Sequence, residues 1–339
     1  MIIKLDNNIS KKDLYKIKEF LNSLNLELKD ISSKDINLYG IIGDTSSITS
    51  EQLLSFKGVE NVTKISTPYK KASKQFHPEN TVIALKNETK IGDGNFVVMA
   101  GPCSVESEEQ LRIIAKSVKE SGCNILRGGV FKPRTSPYTF QGLGIEGLKI
   151  MRKVADELDM AIVTELMSKE YLDEFVKYVD IIQIGARNMQ NFDLLKAVGK
   201  TKTPILLKRG LSATIEELLM SAEYILSEGN DKVILCERGI RTFEKYTRNT
   251  LDISAVLAVK ELSHLPVIID PSHAAGKWQM IDKLSQASLA VGSDGIIVEV
   301  HHNPEKALSD GAQSLKLDKF KDMHNNLEVL AKCLNKKVV

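Results

Sequence analysis

Eight short apolar runs recur along most of the chain, and an amphipathic, helix-like stretch follows each of them. The runs begin near residues 96, 124, 161, 181, 204, 232, 266 and 295. Runs rich in Val and Ile without alternating polar positions are typical of parallel strands that are buried on both faces. Eight similar strand-and-helix units favour a closed (β/α)8 TIM barrel over an open doubly wound sheet. A hairpin candidate at Val82–Leu85 and Gly92–Gly94 precedes the first unit.

A different pattern occupies residues 1–66. An amphipathic helix is predicted at 10–24, with Ser10 as its cap, and a shorter helix from about Ser50 to Phe56. Strands are predicted at 2–5, 26–31, 36–42 and 59–65. The order βαββαβ predicts a small ferredoxin-like domain, a frame common among small-molecule regulatory modules. A role restricted to packing or assembly is the alternative, because a fold does not determine a function.

A polar stretch separates the two patterns. Residues 67–80 contain Pro68 and Pro78 and show no sustained periodicity, which is typical of a linker. The predicted organisation is therefore α/β with a ferredoxin-like domain at 1–66, a linker at 67–80 and a barrel at 81–339.

Composition restricts the classes of partner. The 46 Lys and Arg residues nearly balance the 44 Asp and Glu residues, so no overall basic field favours nucleic acid or a membrane surface. The start of the chain lacks a charged leader with a long apolar stretch, and no run approaches the length of a membrane span. The four cysteines form no paired motif, so free thiols are expected. We expect a cytoplasmic protein.

Four side chains that can bind a metal stand at or beyond the ends of apolar runs: Cys103, His273, Glu299 and Asp310. Strand ends carry the chemistry of α/β barrels. Each residue alone has an ordinary explanation, as a packed thiol, a hydrogen-bonded histidine or a partner of an arginine. Together they predict one site for a divalent ion, and the mixture of soft and hard donors admits Mn, Fe, Co, Zn or Cu. His301 and His302 are the alternative ligands.

A set of cations also follows apolar runs: Arg127, Lys132, Arg134, Arg187, Lys208 and Arg238. Any one of them can be a surface ion pair, but several on one rim favour a multiply charged substrate. Arg209 and Arg241 are left out of this set because they can pair with nearby carboxylates.

Several motifs resemble those of one enzyme family: residues 101–104 (GPCS), 126–129 (LRGG), 131–138 (FKPRTSPY), 184–188 (IGARN), 270–276 (DPSHAAG) and 299–304 (EVHHNP). The chain is similar to the 3-deoxy-D-arabino-heptulosonate 7-phosphate (DAHP) synthases, and more narrowly to the type I-beta group with an N-terminal ferredoxin-like domain. The resemblance implies condensation of phosphoenolpyruvate with erythrose 4-phosphate, which opens the shikimate pathway. It also implies a divalent metal and usually a homotetramer.

The resemblance carries over to individual residues. The implied metal ligands are Cys103, His273, Glu299 and Asp310. The implied phosphoenolpyruvate-binding residues are Arg127, Lys132, Ala186, Arg187, Lys208 and Arg238. The implied erythrose 4-phosphate loop contains Arg134, Thr135 and Ser136. Catalytic roles fall on Lys132, Cys103 and His273, and Lys132 and Glu165 are the candidate proton donors.

Two rival functions and one regulatory hypothesis accompany this reading. The sibling 3-deoxy-D-manno-octulosonate 8-phosphate synthases use arabinose 5-phosphate, and their loop typically reads Lys-Ala-Asn-Arg, whereas residues 132–135 here read Lys-Pro-Arg-Thr. A non-catalytic ligand sensor is the other rival, and the intact metal set argues against it. The small domain suggests feedback control by an aromatic amino acid.

Overall fold

A computed structural model describes residues 1–32, 36–64, 67–132 and 138–339. The chain divides into two compact units, Met1–Glu79 and Asn80–Val339.

The smaller unit is a four-stranded antiparallel sheet with two helices. Its elements are β1 (Ile2–Leu5), α1 (Lys11–Ser23), β2 (Glu27–Asp30), β3 (Leu38–Ile42), α2 (Ser50–Leu54) and β4 (Val59–Thr63). The sheet order is β2-β3-β1-β4, which confirms the predicted ferredoxin-like fold. Ser10 caps α1 by accepting a hydrogen bond from the Asp13 amide, and Ile17 and Leu21 bury the apolar face of that helix.

The segment predicted as a linker contributes to the smaller unit. Phe76 is fully buried, and its ring lies against Gly40 of β3. A Cβ atom at Gly40 would lie 2.4 Å from Phe76 Cδ1, so the ring requires glycine at that position. One aromatic residue in a polar stretch gives no periodic signal, which explains why the sequence did not reveal this contact.

The larger unit contains a closed parallel barrel. The strands of the larger unit are β5 (Ile83–Ala84), β6 (Lys90–Ile91), β7 (Asn95–Gly101), β8 (Ile125–Arg127), β9 (Ala161–Glu165), β10 (Ile181–Ile184), β11 (Ile205–Lys208), β12 (Val233–Glu237), β13 (Val267–Ile269), β14 (Gly295–Glu299) and β15 (Lys337–Val338), of which β7 to β14 form the barrel. Each strand from β7 to β13 pairs in parallel with the next, and β14 pairs with β7 to close the ring. The predicted TIM barrel is confirmed.

Helices alternate with the barrel strands. They are α3 (Glu108–Glu120), α4 (Gly144–Glu157), α5 (Leu172–Tyr178), α6 (Phe192–Gly199), α7 (Ile215–Ser227), α8 (Ser254–Leu262), α9 (Pro271–Ala275), α10 (Ile281–Ala290) and α11 (Leu317–Cys333). Helix α3 is representative. Its residues Leu111, Ile114 and Val118 are buried at helical spacing, and Ser107 caps its first turn. Within the described parts of the chain, no helix has the length and apolar character needed to cross a membrane.

The hairpin formed by β5 and β6 fills the amino-terminal end of the barrel. Ile83 and Ile91 belong to one buried cluster with residues that open the barrel strands, including Ile125 and Ile181. The second hairpin strand precedes Gly92, so Gly92–Gly94 leads into β7 rather than forming the hairpin turn. With this end filled, the carboxyl ends of the strands are the open face, where loops can carry a site.

Candidate active site

Three of the predicted metal ligands converge at the carboxyl end of the barrel. Pairing of β14 with β7 places Glu299 opposite Gly101, two residues before Cys103. Cys103 Sγ and one carboxylate oxygen each of Glu299 and Asp310 lie within 4.8 Å of one another. Asp310 comes from the loop that follows β14, and its Oδ2 atom is 3.5 Å from Cys103 Sγ.

His273 lies at the edge of this group. It is in the short helix α9, directly after β13, and its Nε2 atom is 3.4 Å from Glu299 Oε1. Its Nδ1 atom is 2.7 Å from Asp270 Oδ2, and Asp270 Oδ1 accepts a hydrogen bond from the His273 amide at 2.9 Å. A carboxylate at one ring nitrogen orients the other nitrogen, as is usual for metal-binding histidines.

The donor chemistry fits a divalent transition metal, since a thiol and two carboxylates converge and an imidazole lies beside one of the carboxylates. Burial, followed by the Glu299 carboxylate, raises the pKa of the Cys103 thiol to about 11. Burial alone would raise the pKa of Glu299, but His273, Arg127 and Lys132 lower it to about 2. Glu299 is therefore an anion at neutral pH, and the predicted residues can accept a cation.

Three of the predicted cations are already in contact with acidic groups or the thiol. Arg127 donates from Nη1 to Glu299 Oε1 and to the Pro102 carbonyl, each at 3.0 Å. Lys132 Nζ donates to the Cys103 carbonyl at 2.9 Å and lies 3.0 Å from its Sγ atom. Lys208 forms a buried ion pair with Asp270. Contacts within the protein therefore hold these three cations in place.

A cavity opens beside this group of candidate metal ligands. Its basic lining consists of Arg127, Lys132, Arg187, Lys208, Arg238, Arg241 and Arg248, and Ala186 also faces it. Arg187, Arg238 and Arg241 make no ion pair with any carboxylate in the described ranges. Burial lowers the pKa of Arg238, because its charge is removed from water. The cavity therefore holds positive charge that an anionic ligand can neutralise.

The two arginines excluded from the predicted set differ from each other. Arg209 pairs with Glu237 at 2.9 Å and with Asp252 at 2.8 Å, which is the structural role expected for it. Arg241 instead lines the cavity. Position in the sequence does not distinguish these cases, because both arginines follow a strand end within four residues.

Sequence reasoning missed a bridge between two of the carboxylates. Arg248 Nη1 lies 3.5 Å from Asp310 Oδ2 and donates to Gln313 Oε1 at 2.9 Å. Gln313 Nε2 donates to Glu299 Oε2 at 2.8 Å. Arg248 lies ten residues beyond Arg238 in the same loop between β12 and α8, and this shared loop is the one sequence signal that could have indicated it.

The remaining predicted residues have different outcomes. Glu165 lines the cavity and accepts a hydrogen bond from Gln183 Nε2 at 3.3 Å. His301 is buried, and its Nδ1 atom accepts a hydrogen bond from the Asn303 backbone amide at 3.0 Å. Among the described residues, His301 is not one of the side chains that converge with Cys103. Arg134, Thr135 and Ser136 lie outside the described residues.

Comparison with known families agrees with this architecture. The DAHP synthetase I family matches residues 80–336, and the DAHP synthase ferredoxin-like domain matches residues 1–67. The chain belongs to the DAHP synthetase I family. Both matched domains are thus present in one chain.

Individual relatives narrow the function within the family. Phospho-2-dehydro-3-deoxyheptonate aldolase of Thermotoga maritima is 50% identical over 338 residues, covering 100% of both chains. A crystal structure of DAHP synthase from Thermotoga maritima matches with a TM-score of 0.80 at 49% identity, covering 100% of this chain and 99% of the other. A 2-dehydro-3-deoxyphosphooctonate aldolase of Geobacter sulfurreducens is 33% identical over 259 residues, which cover 70% of this chain and 93% of the relative. Full-length similarity favours DAHP synthase over the octulosonate enzyme.

Proposed function

We propose that this chain condenses phosphoenolpyruvate with erythrose 4-phosphate, giving DAHP and phosphate in the first step of the shikimate pathway. The observation that carries the proposal is the convergence of Cys103, Glu299 and Asp310 beside a cavity lined by arginine and lysine. A metal-binding group next to several cations suits two anionic substrates of which one presents a carbonyl.

In this proposal the cavity cations hold phosphoenolpyruvate. The assigned residues are Arg127, Lys132, Ala186, Arg187, Lys208 and Arg238. Guanidinium groups bind carboxylate and phosphate in a forked geometry, and the ammonium groups add point charges. Two anionic substrates repel each other, so the cations lower the electrostatic cost of bringing them together. Arg134, Thr135 and Ser136 are assigned to erythrose 4-phosphate.

Cys103, His273, Glu299 and Asp310 would hold one divalent ion. Once bound, such an ion supplies a Lewis acid for the aldehyde oxygen of erythrose 4-phosphate. Mn, Fe, Co, Zn and Cu all suit this donor set. His273 would be oriented for this role by Asp270, which contacts the opposite ring nitrogen.

The reaction requires proton transfers at the aldehyde oxygen and at carbon two. Carbon three of phosphoenolpyruvate bonds to the aldehyde carbon, whose oxygen gains a proton. Water adds to carbon two and loses one proton, and the resulting hydroxyl then loses its remaining proton as its carbonyl bond forms, the bond between carbon two and the phosphate oxygen breaks and phosphate leaves. Lys132 and Glu165 are the proposed proton carriers, since both line the cavity.

The test is phosphate release by the full-length chain after chelation and addition of Mn²⁺, with each aldehyde phosphate in turn. We expect metal-dependent turnover and at least about tenfold higher kcat/KM with erythrose 4-phosphate than with arabinose 5-phosphate. A preference for arabinose 5-phosphate would favour the octulosonate enzyme. No phosphate release with either aldehyde would favour a ligand sensor.

We also propose that the ferredoxin-like unit binds an aromatic amino acid as a feedback inhibitor, because it forms a compact unit with its own core. Isothermal titration of the full chain with tyrosine and phenylalanine tests this idea. Absence of heat and of inhibition by both amino acids would leave the unit with a packing or assembly role.

A homotetramer in the cytoplasm completes the proposal. The tetramer follows from the resemblance and is tested by analytical ultracentrifugation. The location suits Cys103, because a thiolate ligand is retained most readily in a reducing compartment. Cell fractionation with an antibody against the chain tests the location.

A further inference from the structure

Two loops supply two of the proposed metal ligands and contact each other next to them. The first loop, residues 102–107, joins β7 to α3 and contains Cys103. The second, residues 300–316, joins β14 to α11 and contains Asp310. Cys103 is buried at a strand end, whereas 29% of the Asp310 side chain is exposed in the middle of its loop. The place of Asp310 therefore depends on what holds this loop.

Residues that follow Cys103 bond to residues that precede Asp310. The hydroxyls of Ser104 and Ser309 form a short, buried hydrogen bond. Glu106 Oε1 accepts a hydrogen bond from the Leu308 amide at 2.8 Å. These two contacts connect the loops at successive positions beside the ligands, and one involves a charged acceptor, which makes it the stronger kind.

The second oxygen of Glu106 faces His301, at the start of the Asp310 loop. His301 Nδ1 accepts the Asn303 amide hydrogen bond, so the neutral ring carries its proton on Nε2. That nitrogen lies 3.6 Å from Glu106 Oε2. Glu106 thus bonds to the Asp310 loop after the 3-10 turn at Pro304–Lys306, and before that turn it only approaches His301, whose Nε2 atom has no hydrogen-bond partner among the described residues.

Gln110 holds the Cys103 loop, which is the other partner in these contacts. It is buried in the first turn of α3, where its Nε2 atom donates to the Ser104 carbonyl at 3.1 Å. Its Oε1 atom accepts from the Glu106 amide at 3.3 Å. Helix α3 therefore holds the Cys103 loop through Gln110, and this loop supports the more exposed Asp310 loop.

We propose that Glu106 is a positioning residue that holds Asp310 at the metal site through its hydrogen bond to the Leu308 amide. This inference rests on the proposed function, because it assigns metal binding to Asp310. Asp310 has a left-handed backbone (φ 48°), a conformation that non-glycine residues adopt at a cost unless their surroundings impose it. The bond to Leu308, two residues earlier, supplies such a constraint.

The test measures Mn²⁺ affinity of the metal-stripped full-length chain by isothermal titration. Glu106→Ala should weaken affinity by about tenfold or more, the range typical when a group supporting metal ligands is removed. Glu106→Gln retains an acceptor for Leu308 and should recover most of that loss. Glu109→Ala is the matched control, because Glu109 is an exposed glutamate in the first turn of α3, the helix that follows the Glu106 loop.

A purely structural role would give a different result. We expect the metal-free unfolding temperatures of the Gln variant and the parent to agree while KM for Mn²⁺ follows the affinities. Unchanged affinity in Glu106→Ala, or a Gln variant as weak as the Ala variant, would overturn the proposal for Glu106 alone. Failure of the parent to bind Mn²⁺ would overturn both this inference and the proposed function.

Discussion

The cations that line the cavity fall into two groups that differ in how their positive charges are compensated. In the first group, which we call the paired side, Arg127 contacts Glu299 and Lys208 contacts Asp270, while Lys132 lies against the Cys103 thiol. In the second group, the open side, Arg187, Arg238 and Arg241 have no ion-paired carboxylate within the described residues. Both sides follow strand ends, so the sequence pattern alone makes them look alike.

The two groups of cations should therefore differ in whether they contribute to the stability of the fold or to the binding of ligands. A buried cation with an acidic partner is held in place, and loss of that partner leaves a charge that is costly to keep out of water. Arg238 is buried without such a partner, so its charge carries this cost until an anion binds, and its lowered pKa reflects the cost. Arg187 and Arg241 are exposed, so water solvates their charges. Changes on the paired side should therefore reduce stability or metal binding, whereas changes on the open side should reduce substrate affinity alone.

The largest expected effect is at the thiol of the paired side. Cys103→Ser should lower metal-dependent turnover by about a thousandfold, since a Lewis acid supplies several kcal/mol of transition-state stabilisation. The fold should be retained, which circular dichroism will show, while metal content falls. Cys333→Ser, at an exposed free cysteine, is the control. Normal metal-dependent activity in Cys103→Ser would remove Cys103 from the site.

The next effect concerns the buried pair of Lys208 and Asp270. Asp270→Asn should lower the free energy of unfolding by about 3 kcal/mol, because it leaves a buried ammonium group without a counter-charge. Urea unfolding measures this change. Asp322→Asn, in a surface pair with Lys319 at 3.3 Å, should cost at most about 1 kcal/mol. Equal losses in both variants would contradict the distinction.

The pH dependence of this stabilisation has a definite sign. Burial alone would raise the pKa of Asp270, but His273 and Lys208 hold it well below the ordinary value of 3.8. A carboxylate with a lowered pKa stabilises the folded state fully above its unfolded pKa. The difference between parent and Asp270→Asn should thus be constant above pH 5 or so and decrease in more acidic solution.

A smaller effect is expected on the open side. Arg238→Met should raise KM for phosphoenolpyruvate by about thirtyfold, within the range for losing a hydrogen bond to a charged group. Its free energy of unfolding should stay equal to the parent's or rise by up to about 1 kcal/mol, because a buried charge is removed. Arg112→Met, at a half-exposed surface arginine, is the control. A large loss of stability in Arg238→Met would place Arg238 on the paired side.

The smallest effect should follow removal of residues 1–79. The hairpin at Ile83–Ile91 that fills the barrel stays in such a chain, so kcat should remain within about twofold of the parent. Inhibition by tyrosine or phenylalanine should disappear. Retained inhibition would locate the effector in the barrel unit, and lost activity would show that the barrel needs its companion.

Much of the fold could be predicted because its signals are local. The eight Val- and Ile-rich runs, the Ser10 cap and the period of α1 are each read within a short window of sequence. The burial of Phe76 against Gly40 could not be read, since it joins residues far apart in sequence and repeats no pattern. The second strand of the hairpin could not be predicted for a different reason: it is two residues long, which is too short to show a pattern.

The site was predictable to the extent that strand ends share one face. The convergence of Cys103, Glu299 and Asp310 could be predicted because they follow strands that a barrel brings together. Arg248 and Gln313 were missed, because they lie in loops where many polar residues are equally plausible. Their contacts depend on how those loops fold against one another.

The sequence by itself determined the barrel, the ferredoxin-like unit, the residue types of the candidate metal site and the excess of cations at strand ends. Tertiary structure alone decided which cations are compensated, that His301 faces Glu106, and that Arg241 lines the cavity while Arg209 pairs with Glu237. The physical reason is the separation along the sequence over which each interaction acts. Periodicity and capping act between neighbours in sequence, whereas ion pairing requires the closure of β14 on β7 and the register of the strands between them.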